Sequence, residues 1–404
     1  MDLSEFGWLL DRPIRMKTAD LEREGRLKHC IFAAQLTRPL VEKLCFIADM
    51  IRLLSRTKEG SDKLRMLLSH KRAMLYFTQP STRTFLSFMA ACQILGVTCN
   101  EVRDPSVSSE VKKESPMDSI RMFSSYFDFI IMRSKVSNFA ECCAYQMNEL
   151  AGNSMRSVPI INAGAGSDEH PTQALLDMYT IERTFNFDHK DTASKSRYVE
   201  LIKKYPNLTL GPDNKTFTFC GDLGRGRTVR SLVTVLSQYE NIRFFFVSPE
   251  EPTLQMDSEL RDGLIQKGIE IHEFNSLDAT FQGKPILGET DALYMTRIQK
   301  EHDTPEIASN YQSLDLSHFK LSMERVHRLK EYAPILHPFP RDSEEVEIPT
   351  EIDKDPRAMY FRQARNGMWA RAALLLHISD SVDHLNSLYK EFYGVTPEES
   401  LVFS

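Results

Sequence analysis

The chain has 404 residues, 42% of them hydrophobic and 26% charged, and its formal net charge at pH 7 is -6. It is long enough for two or three domains, or for one large α/β unit. The negative charge disfavours nonspecific nucleic-acid binding, and no apolar run approaches the roughly 20 residues of a membrane-spanning helix. The N-terminus is acidic rather than signal-like, which predicts a cytoplasmic protein.

Residues 1–27 are charged and weakly periodic, which predicts an extension laid over a surface or over a partner subunit. Apolar residues at helical spacing predict a helix over residues 36–54. A short apolar run at 73–77 then predicts a buried strand. A second helical pattern begins at Phe85 and stops at Gly96.

Ser81, Thr82, Arg83 and Thr84 lie between this strand and this helix. At a helix start the first backbone N–H groups have no intrahelical partner and the macrodipole is positive, so an anion is favoured there. The three hydroxyls and the guanidinium add donors that suit phosphate. The segment therefore predicts a phosphate site. The alternative is a simple Ser/Thr N-cap beside a solvated arginine.

A strand is predicted at 97–102, and the polar stretch 104–116 after it predicts an exposed loop. Two further strands of the first half end in polar residues. The run 128–132 ends in Arg133, and the run 158–162 leads into His170 and Gln173. Helices are predicted at 139–150 and 171–183. Charged side chains thus follow several strand ends, where open α/β sheets bind ligands.

Residues 186–215 are polar and rich in lysine and turn residues, which predicts an insertion near a domain boundary. Beyond them the alternation resumes, with strands predicted at 216–220, 242–247, 269–271 and 292–295 and helices from 229, at 253–266 and at 368–378. Alternating strands and helices predict parallel sheets with helices on both faces. The predicted fold class is therefore α/β.

The turn at 221–226 spaces its glycines as GxxGxG, whereas dinucleotide-binding folds have GxGxxG. The candidate ribose acid, Glu250, lies about 30 residues downstream rather than about 20. A nicotinamide cofactor is disfavoured, and no cofactor is predicted. The seven cysteines are scattered, and Cys142 and Cys143 lack the CxxC spacing of zinc sites. We predict reduced thiols in the core and no metal site.

A series of motifs follows the predicted strand ends in order: Ser81-Thr82-Arg83-Thr84, Arg133, His170 with Gln173, Arg227, Arg297 with Gln299, and His337-Pro338-Phe339-Pro340. Over residues 36–378 this series closely resembles the aspartate and ornithine carbamoyltransferase family. Lys112-Lys113 and Thr296-Arg297-Ile298-Gln299 resemble the aspartate branch of that family.

The resemblance implies two doubly wound parallel-sheet domains with the active site in the cleft between them. Residues 28–170 and 366–404 would form the carbamoyl-phosphate-binding domain. Residues 171–365 would form the aspartate-binding domain, with the insertion at about 186–215, and residues 1–27 would form the N-terminal extension.

The resemblance also implies an enzyme, which transfers the carbamoyl group of carbamoyl phosphate to the α-amine of L-aspartate. The products are N-carbamoyl-L-aspartate and phosphate, a step of pyrimidine biosynthesis that needs no metal or organic cofactor. The catalytic residues would be Arg83, Thr84, Arg133 and His170. Arg133 would bridge the phosphate and the carbonyl oxygen, and His170 would donate a hydrogen bond to that oxygen.

The remaining site residues would bind substrates. By the resemblance, Ser81 and Thr82 hold the phosphate and Gln173 holds the carbamoyl nitrogen. Arginines suit the two carboxylates of the acceptor. The acceptor set is Arg227, Thr228, Arg297, Gln299 and the backbone carbonyls of Pro338 and Phe339. Family members are homotrimers with shared sites, so Lys113, beside Lys112, would complete the neighbouring subunit's site. Regulatory subunits are neither predicted nor excluded.

The chain departs from the aspartate branch at several positions that would border the cleft: Gln79, Phe85, Gly224 with Arg225, His302 and Phe339. The carboxylate usually found at the position of Gln79 pairs with arginines across that cleft, so the closing contact would be absent or rebuilt, with Arg225 as a candidate. Two alternatives stay open. One is a carbamoyltransferase for another amine, and the other is a catalytically silent scaffold or regulatory paralogue.

Overall fold

The computed structural model of the protein describes residues 3–103, 114–165, 169–186, 192–299, 315–344 and 346–397. The chain divides into two compact units. The first unit comprises Met1–Tyr179 with Arg365–Ser404, and the second unit comprises Thr180–Ala364. Within the described residues, none of the helices combines the length and apolarity needed to cross a membrane.

The first part of the chain forms these elements in order: α1 (Gly7–Leu10), α2 (Ile14–Asp20), β1 (Glu22–Arg23), β2 (Arg26–Leu27), α3 (Arg38–Leu54), α4 (Lys58–Met66), β3 (Arg72–Phe77), α5 (Thr82–Leu95), β4 (Thr98–Val102), α6 (Pro116–Tyr126), β5 (Phe129–Arg133), α7 (Phe139–Gly152), β6 (Ile160–Asn162) and α8 (Pro171–Phe185).

The rest of the chain forms α9 (Thr192–Lys204), β7 (Thr216–Cys220), α10 (Arg227–Leu236), β8 (Arg243–Val247), α11 (Ser258–Gln266), β9 (Glu270–Phe274), β10 (Thr280–Phe281), β11 (Lys284–Pro285), α12 (Ile286–Glu289), β12 (Ala292–Met295), α13 (Met323–Arg328), β13 (Ile335–Leu336), α14 (Tyr360–Ile378) and α15 (Val382–Tyr393).

The sheet of the first unit has four parallel strands in the order β4-β3-β5-β6. The apolar run of β5 is buried along its length, as expected for a parallel strand covered on both faces. The chain places β4 on one side of β3 and β5 on the other, so the strand order reverses between β3 and β5. Ligands of open α/β sheets bind beside such a reversal, at the carboxyl ends of the strands.

The sheet of the second unit has five parallel strands in the order β13-β12-β7-β8-β9. Its strand order reverses between β7 and β12. Phenylalanines of β7 and β8 pack on each other, with ring centroids of Phe219 and Phe244 5.7 Å apart. The segments after β7 and β12 therefore meet at the edge where this sheet favours a ligand.

Residues 3–27 pack onto the first unit's own core. Phe6, Leu21 and Leu27 are buried, and the Phe6 ring stacks on Tyr145 of α7 with centroids 6.3 Å apart. The segment after them adds a bridge beside β6, where the Cys30 N–H donates to the Ile160 carbonyl at 2.9 Å. The extension is thus laid over a surface, one of its two predicted placements.

Several element predictions need revision. The predicted insertion at 186–215 contains a helix that was not predicted, α9, which buries the apolar side chain of Leu201. The closing helix begins at Tyr360, eight residues before the predicted start of 368. The predicted helix at 253–266 begins at Ser258, where Asp257 caps it by accepting the Leu260 N–H at 2.9 Å.

Candidate active site

The loop after β3 leads into the start of α5, where the phosphate site is predicted. Within the described residues, the Ser81 hydroxyl makes no capping hydrogen bond to the helix, which argues against the simple N-cap interpretation. Thr82 and Arg83 are exposed in the first turn, whereas Thr84 is buried. Ser81, Thr82 and Arg83 thus present hydroxyl and guanidinium donors at the positive end of this helix.

Sheet register brings Arg133 to the same edge. Arg133, the last residue of β5, is paired in register with Phe77, the last residue of β3. The Gln79 N–H donates to the Arg133 carbonyl at 3.2 Å. Because the strands are parallel, the loop that carries Ser81 and the side chain of Arg133 leave the sheet together.

Gly164 is the point at which Arg133 and His170 meet. It has φ +91, in the region that favours glycine. A Cβ added at Gly164 would lie 2.8 Å from Arg133 Nη1 and 2.6 Å from His170 Cδ2. Arg133 Nη1 also donates to the Ala163 carbonyl at 3.2 Å. The structure therefore brings together two of the predicted catalytic side chains.

The hydrogen bond at Nδ1 of His170 determines which ring nitrogen can donate. This buried residue precedes Pro171 and caps α8, because its Nδ1 accepts the Gln173 N–H at 3.2 Å. A ring nitrogen that accepts a hydrogen bond carries no proton, so the neutral imidazole holds its proton on Nε2. His170 is thus a helix N-terminal residue and, at the same time, a ring that presents an N–H donor.

The Gln173 side chain is oriented by a carboxylate. Its Nε2 donates to Asp177 Oδ1 at 2.9 Å, and Asp177 is fully buried. The amide oxygen of Gln173 is thereby directed away from Asp177 and can accept from an NH₂ group. Asp177 was absent from the sequence prediction. Its spacing of four residues from Gln173 on one helix face was the available signal.

Asn162 shapes the segment that carries His170. Its Oδ1 accepts the N–H groups of Gly164 and Ala165 at 2.9 and 2.8 Å, and its Nδ2 donates to the carbonyls of Ile31 and Glu169. Asn162 is buried, so these bonds also satisfy a polar group that would be costly to leave unpaired. Sequence reasoning missed this role, because the partners are set by tertiary structure.

The second unit gathers the predicted acceptor residues at its own strand reversal. Arg227 and Thr228 are the first two residues of α10 and are half-buried. Arg297 and Gln299 follow β12 and are also half-buried. A Cβ at Gly221 would lie 2.1 Å from the Thr296 carbonyl oxygen, so only glycine permits this approach of the two turns.

Asp222 joins these two turns. Its carboxylate is fully buried and accepts the Gln299 N–H at 3.2 Å, the Arg225 N–H at 3.1 Å and Arg225 Nε at 2.9 Å. The single carboxylate therefore fixes the turn before Arg227 relative to the turn that carries Arg297. Arg225, the residue considered for a rebuilt closing contact, pairs with Asp222 within its own unit.

The third predicted acceptor segment follows β13. His337 Nδ1 accepts the Phe339 N–H at 2.8 Å, and its Nε2 lies 2.6 Å from Glu347 Oε1. Both side chains are buried. Phe339 has φ +58 and packs its ring against Tyr360, with centroids 5.8 Å apart. Pro338 and Phe339 are half-buried, and this turn is held by side chains rather than by regular structure.

Arg297 also lines a recess of the second unit whose enclosed volume is about 20 Å³. Its other lining residues combine cations, carboxylates and apolar groups, and include Ile298, Phe319, Lys320 and Glu347. This enclosed space suffices for about one water molecule, so the recess does not by itself hold an amino acid, although a guanidinium at its wall suits a carboxylate.

Lys112, Lys113 and His302 lie outside the described residues. Phe85, which stands where the family usually has arginine, is buried against Phe77 with ring centroids 5.4 Å apart. The Arg103 guanidinium lies 4.7 Å from the Phe85 ring centroid. A guanidinium therefore contacts position 85 from another segment, through a cation–π contact.

Burial disfavours the thiolate form of most of the described cysteines, whereas the hydrogen bond with Cys92 lowers the pKa of Cys99. All seven cysteines are free, and six of them are buried. Burial raises the pKa of the Cys30 thiol to about 12 and also raises the pKa of Cys220. In the parts of the chain that the structure covers, no three or more His, Cys, Asp or Glu side chains are grouped to hold a metal ion.

Two family models match the chain. The carbamoyl-phosphate-binding domain of aspartate/ornithine carbamoyltransferases matches residues 28–183, and the aspartate/ornithine-binding domain of the same enzymes matches residues 213–378. Among curated relatives, the aspartate carbamoyltransferase catalytic subunit of Lachnoclostridium phytofermentans is 36% identical over 339 residues, which cover 84% of this chain and 95% of the relative. The chloroplastic enzyme of Oryza sativa is 34% identical and covers 87% of this chain and 84% of the relative.

Solved structures agree with these relatives. Trypanosoma cruzi aspartate transcarbamoylase in complex with carbamoyl phosphate and aspartate matches with a TM-score of 0.69 and 32% identity, over 89% of this chain and 97% of that one. The catalytic subunit of M. jannaschii aspartate transcarbamoylase matches with a TM-score of 0.67 and 32% identity, over 88% of this chain and 99% of that one. The predicted α/β fold class with parallel sheets is confirmed, and the chain belongs to the aspartate/ornithine carbamoyltransferase family.

Proposed function

We propose that this chain transfers the carbamoyl group of carbamoyl phosphate to the α-amine of L-aspartate. The predicted activity of an aspartate carbamoyltransferase is confirmed by the relatives and solved structures. These proteins are named for that activity, and about a third of their aligned residues are identical to those of this chain. The observation that carries the proposal is the meeting of Arg133 and His170 over Gly164, beside the start of α5.

The first unit would hold the donor. Ser81, Thr82, Arg83 and Thr84 would bind the phosphate at the start of α5, with the helix macrodipole adding to their charge. Arg133 would span from the phosphate to the carbonyl oxygen. This assignment surrounds the phosphate dianion of carbamoyl phosphate with positive charge and N–H donors.

His170 and Gln173 would act on the carbamoyl group itself. The Nε2–H of His170 would donate to the carbonyl oxygen, which becomes negative in the tetrahedral transition state. One well-placed donor of this kind contributes roughly 3 to 4 kcal/mol to the barrier reduction. The amide oxygen of Gln173, directed away from Asp177, would accept from the carbamoyl NH₂.

The second unit would hold the acceptor. Arg227 and Arg297 would bind the two carboxylates of aspartate, assisted by Thr228 and Gln299. The carbonyls of Pro338 and Phe339 would orient the attacking amine. Asp222 supports the assignment, because it fixes the two arginine-bearing turns to each other.

The proton and the leaving group can be accounted for without a protein base. The amine nitrogen forms a bond to the carbonyl carbon, and the bond from that carbon to the phosphate oxygen breaks. The departing phosphate takes the amine proton. Charge stabilisation and orientation then supply the catalysis.

The assembly, location and domain limits belong to the same proposal. A homotrimer with shared sites would place Lys113, with Lys112 beside it, in the site of the neighbouring subunit. The carbamoyl-phosphate domain would comprise residues 28–170 and 366–404, and the aspartate domain residues 171–365. We assign the protein to the cytoplasm and the reaction to pyrimidine biosynthesis.

An amine panel tests the proposal. The purified protein is incubated with carbamoyl phosphate and, separately, with L-aspartate, L-ornithine and other amines, and the N-carbamoyl product is identified by mass spectrometry. Formation of carbamoyl aspartate supports the proposal. Turnover only with another amine would reassign the acceptor. No turnover, together with no thermal stabilisation by a saturating bisubstrate phosphonate analogue, would favour the silent scaffold.

A further inference from the structure

Arg371 is a buried cation that the proposed mechanism does not use. It lies in α14 with 2% of its surface exposed and is among the largest fully buried side chains of the described residues. Burial lowers the pKa of its guanidinium to about 9, while the Asp177 carboxylate raises it. The side chain is thus charged at neutral pH. A buried charge is costly unless it is paired and hydrogen-bonded.

One side of Arg371 contacts the helix that begins at the phosphate site. Its Nη1 donates to Ser87 Oγ at 2.5 Å, and Ser87 Oγ donates to the Thr84 carbonyl at 3.1 Å. Its Cζ lies 4.8 Å from the centroid of the Phe88 ring, a cation–π contact. This short chain of hydrogen bonds connects Arg371 to the first turn of α5.

Arg371 also lies near α8, the helix that begins after His170. The charge of Asp177 in α8 raises the pKa of the guanidinium, and this carboxylate accepts Gln173 Nε2 at 2.9 Å. Gly367, one turn before Arg371, leaves the space that the guanidinium needs. A Cβ at Gly367 would lie 2.5 Å from Arg371 Nη1 and 3.1 Å from Leu176 Cδ2.

We propose that Arg371 is a positioning residue for the carbamoyl-phosphate half of the site, which holds the first turn of α5 in place through Ser87 and Phe88. This inference rests on the proposed function. An apolar side chain of similar length could fill the same volume, but it could not donate to Ser87 Oγ. Displacement of catalytic groups by about 1 Å lowers turnover by up to about 100-fold.

Steady-state kinetics of Arg371→Met, Arg371→Lys and wild type test the inference. We expect Arg371→Met to lower kcat/KM for carbamoyl phosphate by about 100-fold, with the KM for aspartate changed less than threefold. Arg371→Lys should recover part of the loss, because it keeps the charge. Arg357→Met is the matched control, since Arg357 is a largely buried arginine of the second unit paired with Asp355 at 2.8 Å. It should lose thermal stability and keep its kinetic constants.

A double-mutant cycle with Ser87→Ala separates positioning from general stability, because Ser87 Oγ accepts from Arg371. If Arg371 acts through this hydrogen bond, adding Ser87→Ala to Arg371→Met causes no further loss of kcat/KM. The inference is overturned if the kinetic constants of Arg371→Met stay within threefold of wild type. It is also overturned if the kcat/KM loss of the double variant equals the product of the losses of the two single variants. If Arg371→Met does not fold, Ser87→Ala alone decides, with wild-type kinetics overturning the inference. A wild-type protein that makes no carbamoyl aspartate would refute the proposed function instead.

Discussion

Arg133 is the residue at which the electrostatic account can be tested most directly. It ends β5 beside the start of α5, and its guanidinium lies against Gly164 and His170. Because its assigned role is charge rather than packing, Arg133→Ala should lower turnover by roughly 100- to 1,000-fold with little change in Tm. Arg243→Ala, at the start of β8, serves as the control and should leave turnover unchanged. Turnover of Arg133→Ala within threefold of wild type would remove Arg133 from the site.

The tautomer of His170 is a second prediction at this scale. Its Nδ1 accepts the Gln173 N–H, so the proton of the neutral ring should reside on Nε2. Long-range ¹H–¹⁵N spectra distinguish the two tautomers, and His170→Gln identifies the signal. A ring protonated on Nδ1 would exclude the assigned hydrogen bond to the carbonyl oxygen.

The residues assigned to the substrates were predicted from sequence, whereas the residues that contact and orient them were seen only in the structure. Arg133 and His170 follow apolar runs and belong to recognisable motifs. Asp222 and Arg371 act through partners far along the chain or on other elements. No local pattern carries that information, because register and packing set those contacts.

The two turns that meet at Asp222 form the element whose rigidity matters most for the acceptor. Asp222→Ala removes the acceptor of the Gln299 and Arg225 N–H groups. We expect the KM for aspartate to rise at least about tenfold, whereas the KM for carbamoyl phosphate stays within threefold. Asp291→Ala is the control, since this buried carboxylate accepts the Thr216 N–H at the opposite end of the sheet. Equal effects of both variants on the KM for aspartate would contradict the account.

The segment beside β6 should make folding stability depend on pH. Burial, and next the charge of Lys28, lower the pKa of His29 to about 3, and its Nδ1 accepts the Ile160 N–H at 2.9 Å. The unfolded chain binds a proton near the ordinary pKa of about 6.5, but the folded chain does not. This stability is therefore complete above pH 6.5 and is lost as the pH falls toward 3.

Thermal melts at pH 7.5 and pH 5.0 measure this effect. Wild type should lose more Tm between the two pH values than His29→Gln, whose amide oxygen can still accept the Ile160 N–H. An identical loss in the two proteins would show that His29 does not contribute to the pH dependence.

For the helices and strands, prediction from sequence was correct where a single pattern of apolar residues was strong. Continuous apolar runs predicted the central strands, since parallel strands are buried on both faces. Sequence prediction gave no helix at α9, inside the polar insertion, and placed the start of α14 too late, where Tyr360 is buried by tertiary contacts. Periodicity alone does not reveal those contacts.

Shared sites in the proposed homotrimer make a prediction for the whole assembly. Arg133→Ala and Lys113→Ala should each be inactive. After the two variants are dissociated and reassembled together in equal amounts, a site is intact wherever a native Arg133 meets a native Lys113 from the next subunit. Random assortment then restores about a quarter of wild-type activity. Activity no higher than that of the separate variants would contradict a shared site.

The acceptor itself is the central claim, and product identification measures it directly. Purified protein with carbamoyl phosphate and an equimolar mixture of L-aspartate, L-ornithine and other amines should yield N-carbamoyl-L-aspartate as the main product. Formation should be lost in Arg133→Ala and in Arg297→Ala. A carbamoylated product derived from another amine, with no carbamoyl aspartate, would contradict the account.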